Sequence, residues 1–268
     1  MLTMTSFRIP PTKLALQHPH PRDEFISFDE GPHVYTVHGD TTFTSVTTWI
    51  HSHFSHFDAD AIIDKMMFKI LKDPTYKYYG MTREQIKTQW EQNGKLASGS
   101  GTDMHNDIER FYNDVEVDNT SIEYAYFKEF YRDFPELKPY RTEWTVYYEE
   151  LKLSGSIDMI FENPDGTLQI YDWKRSKGIE HEAYGDKCAK TQCINHLPDS
   201  NFWHYSLQLN IYRAILEEKY GKTITGLYLI CLHPDNQNKS YQRIQAHDLR
   251  TEVADLFALR RKQIEDDK

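Results

Sequence analysis

The stretch GSIDMIFENPDGTLQIYDWKRSK, residues 155–177, carries two apolar runs on either side of an Asn163-Pro164-Asp165-Gly166 turn. It reads as two antiparallel strands joined by a tight connection. With the turn centred on Asp165, position 158 falls opposite position 172, so Asp158 and Asp172 face each other with Cβ atoms about 5 Å apart. Lys174 follows two residues later and shares their face. Two bare carboxylates in opposition repel, and each raises the other's pKa. A divalent cation between them removes that cost, and hard oxygen donors of this kind suit Mg²⁺ or Mn²⁺. The lysine can then orient or deprotonate an attacking water, or neutralise charge growing on a phosphate oxygen. Taken alone, these three residues fit a solvated sheet end with an Asp–Lys pair equally well, and a bulge in the turn would shift the pairing by one.

Working outward, RTEWTVYYEE (141–150) supplies a strand before the hairpin. HVYTVHGDTTFTSVTTWI (33–50) alternates around Gly39-Asp40 and predicts another hairpin. A helical pattern runs from Asp58 to Leu71. A second helix opens on Thr82 with Gln85 three residues on, the signature of a capping box. SGSGTDMHNDIERFYND (98–114) predicts a Gly-Ser loop that becomes helical near Thr102. SIEYAYFKEFYRDF (121–134) is a further helix, closed by Pro135. After the hairpin come an irregular segment (175–202), an amphipathic helix in WHYSLQLNIYRAILEEKYG (203–221), a strand in TITGLYLICLHP (223–234) and a last helix from about Leu249. Helix, three strands, helix, strand, helix predicts a mixed α/β sheet covered on both faces.

The chain has 268 residues, 39% hydrophobic, with a formal charge of −10. That is enough for a substantial core, and no apolar run approaches the length of a membrane span. The net charge argues against gripping nucleic acid through bulk basic charge. It does not exclude nucleic acid, because carboxylates that hold a cation are neutralised in use. Cys188, Cys193 and Cys231 make an odd set without framework spacing, which suits an intracellular, reducing compartment. Cytoplasm, nucleus and organelle stay open, as does a phage or large-DNA-virus source. Residues 1–24 are rich in Pro and His and are expected to form a flexible arm. His181, Cys188, Cys193 and His196 have zinc-binding chemistry but no tight CxxC pair, so an ordinary loop is the default.

Two helices add to the hairpin. His105 and Glu109 stand four apart on one helical face, as do Gln208 and Tyr212. Each pair alone is an ordinary surface or core-edge pair. Together, in chain order, GTDMH with His105, GSID with Asp158, DWK with Asp172 and Lys174, and QLNIY with Gln208 and Tyr212 resemble the PD-(D/E)XK nuclease superfamily. The resemblance is to its RecB-like branch, which includes Cas4-like and mitochondrial genome-maintenance exonucleases, and it spans about residues 99–232. It implies a restriction-endonuclease-like core with an N-terminal helical extension: a single domain over 25–268, with a hairpin and helical cap or arch at 25–98 and the catalytic core at 99–268. It implies that His105, Asp158, Asp172 and the carbonyl of Trp173 ligate one or two Mg²⁺ or Mn²⁺ ions. Lys174 assists the water, Gln208 and Tyr212 position DNA or the lysine, and Glu143 occupies the place of an acidic residue in some members. Arg175 and Lys177 are the nearest candidates for DNA contact. The implied activity is a DNA exonuclease on single strands or free ends in replication, recombination or repair. An RNA or DNA endonuclease of the same superfamily and an inactive nucleic-acid-binding relative are the alternatives. Some relatives hold an iron–sulfur cluster on four cysteines; three do not supply that set, so no cluster is expected.

Overall fold

The computed structural model describes residues 12–267. In chain order its elements are α1 (Lys13–Gln17), β1 (Ile26–Asp29), β2 (Val34–Val37), β3 (Thr44–Ser45), α2 (Val46–Ser52), α3 (Ala59–Lys72), α4 (Arg83–Tyr112), α5 (Ile122–Asp133), β4 (Lys138–Tyr148), β5 (Leu153–Glu162), β6 (Leu168–Lys174), α6 (Asn201–Lys219), β7 (Ile224–Cys231), β8 (Gln242–Gln245) and α7 (Arg250–Asp266). β4, β5 and β6 form an antiparallel meander, β7 lies parallel to β6, and β8 closes the edge antiparallel to β7.

Alternation along the strands divides the core. Ile160, Ile170 and Leu229 face α2, α6 and α7, whereas Met159, Phe161, Tyr171, Trp173 and Ile230 face α5 and the C-terminal half of α4. The mixed sheet covered on both faces is therefore present. A third, small cluster lies apart: Ile63 and Ile70 of α3 with Ile86 of α4, flanked by Tyr76, Tyr78 and Trp90.

Several expectations need correction. The hairpin is β1 with β2, turning over residues 30–33, and the expected turn at Gly39-Asp40 is reduced to one isolated antiparallel bridge, Val37↔Asp40, with no strand directly following it. The β-branched run after it becomes α2 because Ser45 accepts the Thr48 amide as an N-cap, and Val46, Trp49 and Ile50 then share one buried face. The Gly-Ser stretch is helical, so α4 runs unbroken for 30 residues from the capping box of Thr82 and Gln85. α6 is buried on both sides and not amphipathic, because it lies beneath the sheet with α7 and α2 around it. Its polar Ser206, Asn210 and Arg213 are satisfied internally or by the segment at His247 and Asp248. Part of the expected flexible arm is docked: Leu14 is buried, Arg141 binds the carbonyl of His18 and the carboxylate of Asp23, and Arg22 stacks on Tyr147. Residues 1–11 lie outside the described residues.

The sheet is interrupted along one edge of β5. β4 pairs along the opposite edge. On the interrupted edge β3 pairs only with Leu153 and Ser154, and β6 only with residues 159–162. Residues 155–158 are thus left without a strand partner on that edge.

Candidate active site

The predicted register holds from Met159↔Tyr171 to Glu162↔Leu168. One step further the ladder stops, and the Asp158 carboxylate takes the place of a backbone acceptor: the Trp173 amide donates to its Oδ2 at 2.9 Å. Asp158 is oriented by the very strand it parts from.

Across β5, Glu143 sits in β4 with φ of 41°, a left-handed conformation that a non-glycine residue adopts at a cost. Ser156 Oγ donates to its Oε2 at 2.9 Å. From the other side, α4 delivers His105. Its Nε2 lies 2.9 Å from the Trp173 carbonyl, and its Nδ1 lies 3.5 Å from Asp158 Oδ2 and 3.6 Å from Glu143 Oε1. With Nε2–H donating to the carbonyl, Nδ1 presents its lone pair to the carboxylates in the neutral ring. One ligand atom each from His105, Glu143 and Asp158 lies within 4.8 Å of the others.

Electrostatics mark this cluster as short of positive charge. Burial pushes the Asp158 carboxyl up, with Glu143 adding to it and His105 opposing. Burial alone would lower His105, but Asp158 and Glu143 outweigh it and hold the imidazole up to about 9. Glu109, one turn along α4, is pushed up to about 7 by burial, with the Glu143 charge adding. Two carboxylates and an imidazole converging in this way form a donor set that fits a hard divalent cation.

Asp172 turns to a second group. Its Oδ2 pairs with Lys174 Nζ at 2.7 Å and its Oδ1 accepts from Gln208 Nε2 at 3.3 Å, while Lys174 Nζ also reaches Gln208 Oε1 at 3.5 Å. The Tyr205 ring closes the cage with its centroid 4.5 Å from Nζ. Burial works against both charges; it drives Asp172 up, but Asp172 and Asp158 together more than offset it at Lys174 and keep the lysine an ammonium.

His105, Asp158 and Glu143 are therefore brought together, and Asp172, Lys174 and Gln208 form an adjoining triad. The Trp173 carbonyl, expected as a metal ligand, lies beside this cluster against His105 Nε2. Tyr212 is buried against Gly155, where a Cβ would stand 2.6 Å from its Oη. Arg175 is paired with Glu123 at 2.7 Å, and exposed Lys177 lies 3.5 Å from Asp235. The four candidate zinc ligands do not converge: His181 stacks on Phe202, His196 pairs with Glu252, and His105, Glu143 and Asp158 are the only such group among the described residues. The sequence reading missed Ser156, Tyr205 and Tyr35, the last buried in β2 where the Glu143 and Asp158 charges add to burial in raising its phenol. Tyr205 precedes Gln208 by three on one helix, and Ser156 precedes Asp158 by two on one strand, so spacing alone could have found both.

A sequence profile of the PD-(D/E)XK nuclease superfamily matches residues 120–267, more than half of the chain. The chain belongs to that superfamily, and its substrate class is nucleic acid. The match contains Glu143, Asp158, Asp172, Lys174, Gln208 and Tyr212; α3 and α4 with His105 precede it. No curated protein matches the chain. Among the described residues no helix is long and apolar enough to cross a membrane.

Proposed function

We propose that the chain is a metal-dependent DNA nuclease of the RecB-like kind, an exonuclease acting on single-stranded DNA or DNA ends in replication, recombination or repair. The observation that carries the reading is the juxtaposition of the His105–Glu143–Asp158 donors with the Asp172–Lys174 pair at one break in the sheet. His105, Glu143 and Asp158, with Asp172 beside them, would hold Mg²⁺ or Mn²⁺. When bound, such an ion supplies an activated water and offsets phosphate charge.

The chain's own groups do the rest. The Trp173 amide and Ser156 hold Asp158 and Glu143 in place before substrate arrives, so little reorganisation is left to the reaction. Lys174, kept charged by Asp172, serves a phosphate oxygen or the leaving oxygen as a hydrogen-bond donor rather than as a base. Gln208 fixes both partners of that pair and sets its direction. With a net charge of −10, affinity comes from a short groove and from stacking on exposed bases, which favours single strands over duplex. The helical segment before the matched region forms a wall past which an end is admitted.

The test compares linear single strands, blunt duplex, sealed single-stranded circles and RNA at equal nucleotide concentration, in Mg²⁺, Mn²⁺ and EDTA. Linear single-stranded DNA should be cut fastest, Mn²⁺ should support activity because of the imidazole donor, and EDTA should stop it. Fast cutting of sealed circles moves the enzyme to the endonuclease class; undiminished activity in EDTA removes metal catalysis.

A further inference from the structure

α3 segregates its charges. Asp60 and Asp64 point toward α4, where Arg83 binds both and Lys87 binds Asp60 at 2.7 Å. Lys65, Phe68, Lys69 and Lys72 recur at intervals that place them on one outward stripe, and all four are exposed. Phe68 is 75% exposed and neighbouring Leu71 65%. Lys65 and Lys72 have no ion-pair partner among the described residues, and Lys69 leans over the ring of Tyr76. The nearby tyrosines are engaged elsewhere: Tyr76 bonds Met66 Sδ and Tyr78 accepts from Trp90. In a chain of net charge −10, this is a stripe of three exposed lysines, with the Asp73 carboxylate near Lys69 at its C-terminal end, and a bare aromatic face at its centre.

We propose that the outer face of α3 is a platform for single-stranded nucleic acid, with Phe68 stacking on a base and Lys65, Lys69 and Lys72 contacting phosphates. The inference rests on the nuclease reading above and adds to it a second contact region remote from the catalytic cluster. α3 packs on α4 at Ile86, and His105 lies 19 residues further along the same helix, about 28 Å at a rise of about 1.5 Å per residue. Only a strand of several nucleotides reaches both, so the platform acts on long substrates and leaves short ones untouched. A polyanion is the occupant that the lysines select, and exposed base faces are what Phe68 selects within that class.

The experiment uses the full chain, as wild type, Phe68→Ala and the triple variant Lys65→Ala/Lys69→Ala/Lys72→Ala. Binding of a long homothymidine strand is measured by fluorescence anisotropy in EDTA across a salt series, and turnover of bis(p-nitrophenyl) phosphate is measured with Mn²⁺. Phe68→Ala should weaken binding about tenfold. The triple variant should lower the salt slope by about 2, because each phosphate left unneutralised on a single strand removes roughly 0.7 from it. Ester turnover should match wild type in both. Wild-type affinity and salt slope in the variants, with the wild type cutting the strand normally, overturn the platform alone. Variants that no longer bind anionic lipid vesicles but still bind the strand reassign the face to a membrane surface and also overturn it. A wild type that neither binds nor cuts any strand overturns the nuclease reading and the platform with it.

Discussion

The core and the cap of this molecule solve opposite problems. At the break in the sheet the candidate catalytic side chains have partners: Asp158 holds a backbone amide, Glu143 a serine, and Lys174 is enclosed by Asp172, Gln208 and Tyr205. The cap rests on three buried isoleucines, and its most conspicuous side chains, Phe68 and the lysines beside it, touch solvent. Chemistry at a phosphate needs groups held to fractions of an ångström before substrate arrives. Handling a flexible strand needs reach and adaptable contact. The difference predicts that core substitutions act on every substrate, and cap substitutions only on long ones.

Lys174→Ala should break that comparison hardest, lowering kcat/KM about 10³-fold, at the upper end of what one preorganised donor supplies. The effect should be equal on bis(p-nitrophenyl) phosphate and on a long strand, while Mn²⁺ binding measured by calorimetry stays near wild type. A lysine-less chain that cuts at the normal rate would remove Lys174 from the mechanism.

Gly155→Ala probes the same break through packing. The added methyl would stand 2.6 Å from Tyr212 Oη and 2.7 Å from its Cε1, so the ring or β5 must shift. Overpacking of this kind costs about 1–3 kcal/mol, and the displacement reaches Asp158 three residues on. Thermal melts should show the destabilisation, with kcat down about 10²-fold for a shift of about 1 Å. Adding Tyr212→Leu to Gly155→Ala should recover stability without recovering activity. A Gly155→Ala chain as stable as wild type would show that the ring is free to move.

His53 offers a pH handle on the core as a folding unit. It is 7% exposed, its Nδ1 lies 2.8 Å from Thr191 Oγ1, and burial, with Arg260 and Lys190 adding, brings its pKa down to about 4. An imidazole depressed in the fold is neutral there, while the unfolded chain takes up the proton below its ordinary value of 6.5. The stability it permits is therefore complete above pH 6.5 and is lost as pH falls toward 4, by up to about 3 kcal/mol. His53→Gln should flatten the fall of Tm across that window relative to wild type. Parallel curves would mean that His53 titrates without resistance.

The sheet and its site were legible because strand alternation and turn chemistry are local. The turn at residues 163–166 sets the register as far as Met159↔Tyr171, and so brings Asp158 and Asp172 to the same end of the ladder. Glu143 is harder to place from sequence, because its position depends on a left-handed residue within a strand, which no pattern announces. The division of labour between Asp158 and Asp172 was hidden for a different reason: the ladder opens one step before the expected pair, and an opening depends on β3 and β6 occupying separate stretches of one edge. α2 was misread because a β-branched run looks like a strand until Ser45 caps it and the core takes its apolar face. The same tertiary context makes α6 buried all round. The Gly-Ser stretch of α4 failed in the opposite direction, since composition there disfavours the helix that forms.

That stretch supports the last prediction, and the smallest. Residues 91–100 are exposed at every position, so α4 crosses about 15 Å between cap and core without packing on anything. Gly94, Gly99 and Gly101 lie in or beside it, with open space where a Cβ would stand and no positive φ. Each glycine costs a helix interior about 1 kcal/mol relative to alanine, so a helix that gains nothing from tertiary burial is weakest here. Amide hydrogen exchange should therefore be faster over 91–101 than in α6. The triple variant Gly94→Ala/Gly99→Ala/Gly101→Ala should slow it, with local stability rising by up to about 3 kcal/mol and the global melt almost unchanged. Stiffening the span restrains the cap, so turnover of long strands should fall a few-fold while bis(p-nitrophenyl) phosphate is hydrolysed as before. Wild-type exchange at 91–101 as slow as in α6 would show that this bare span is held after all, and the cap would then be as fixed as the core.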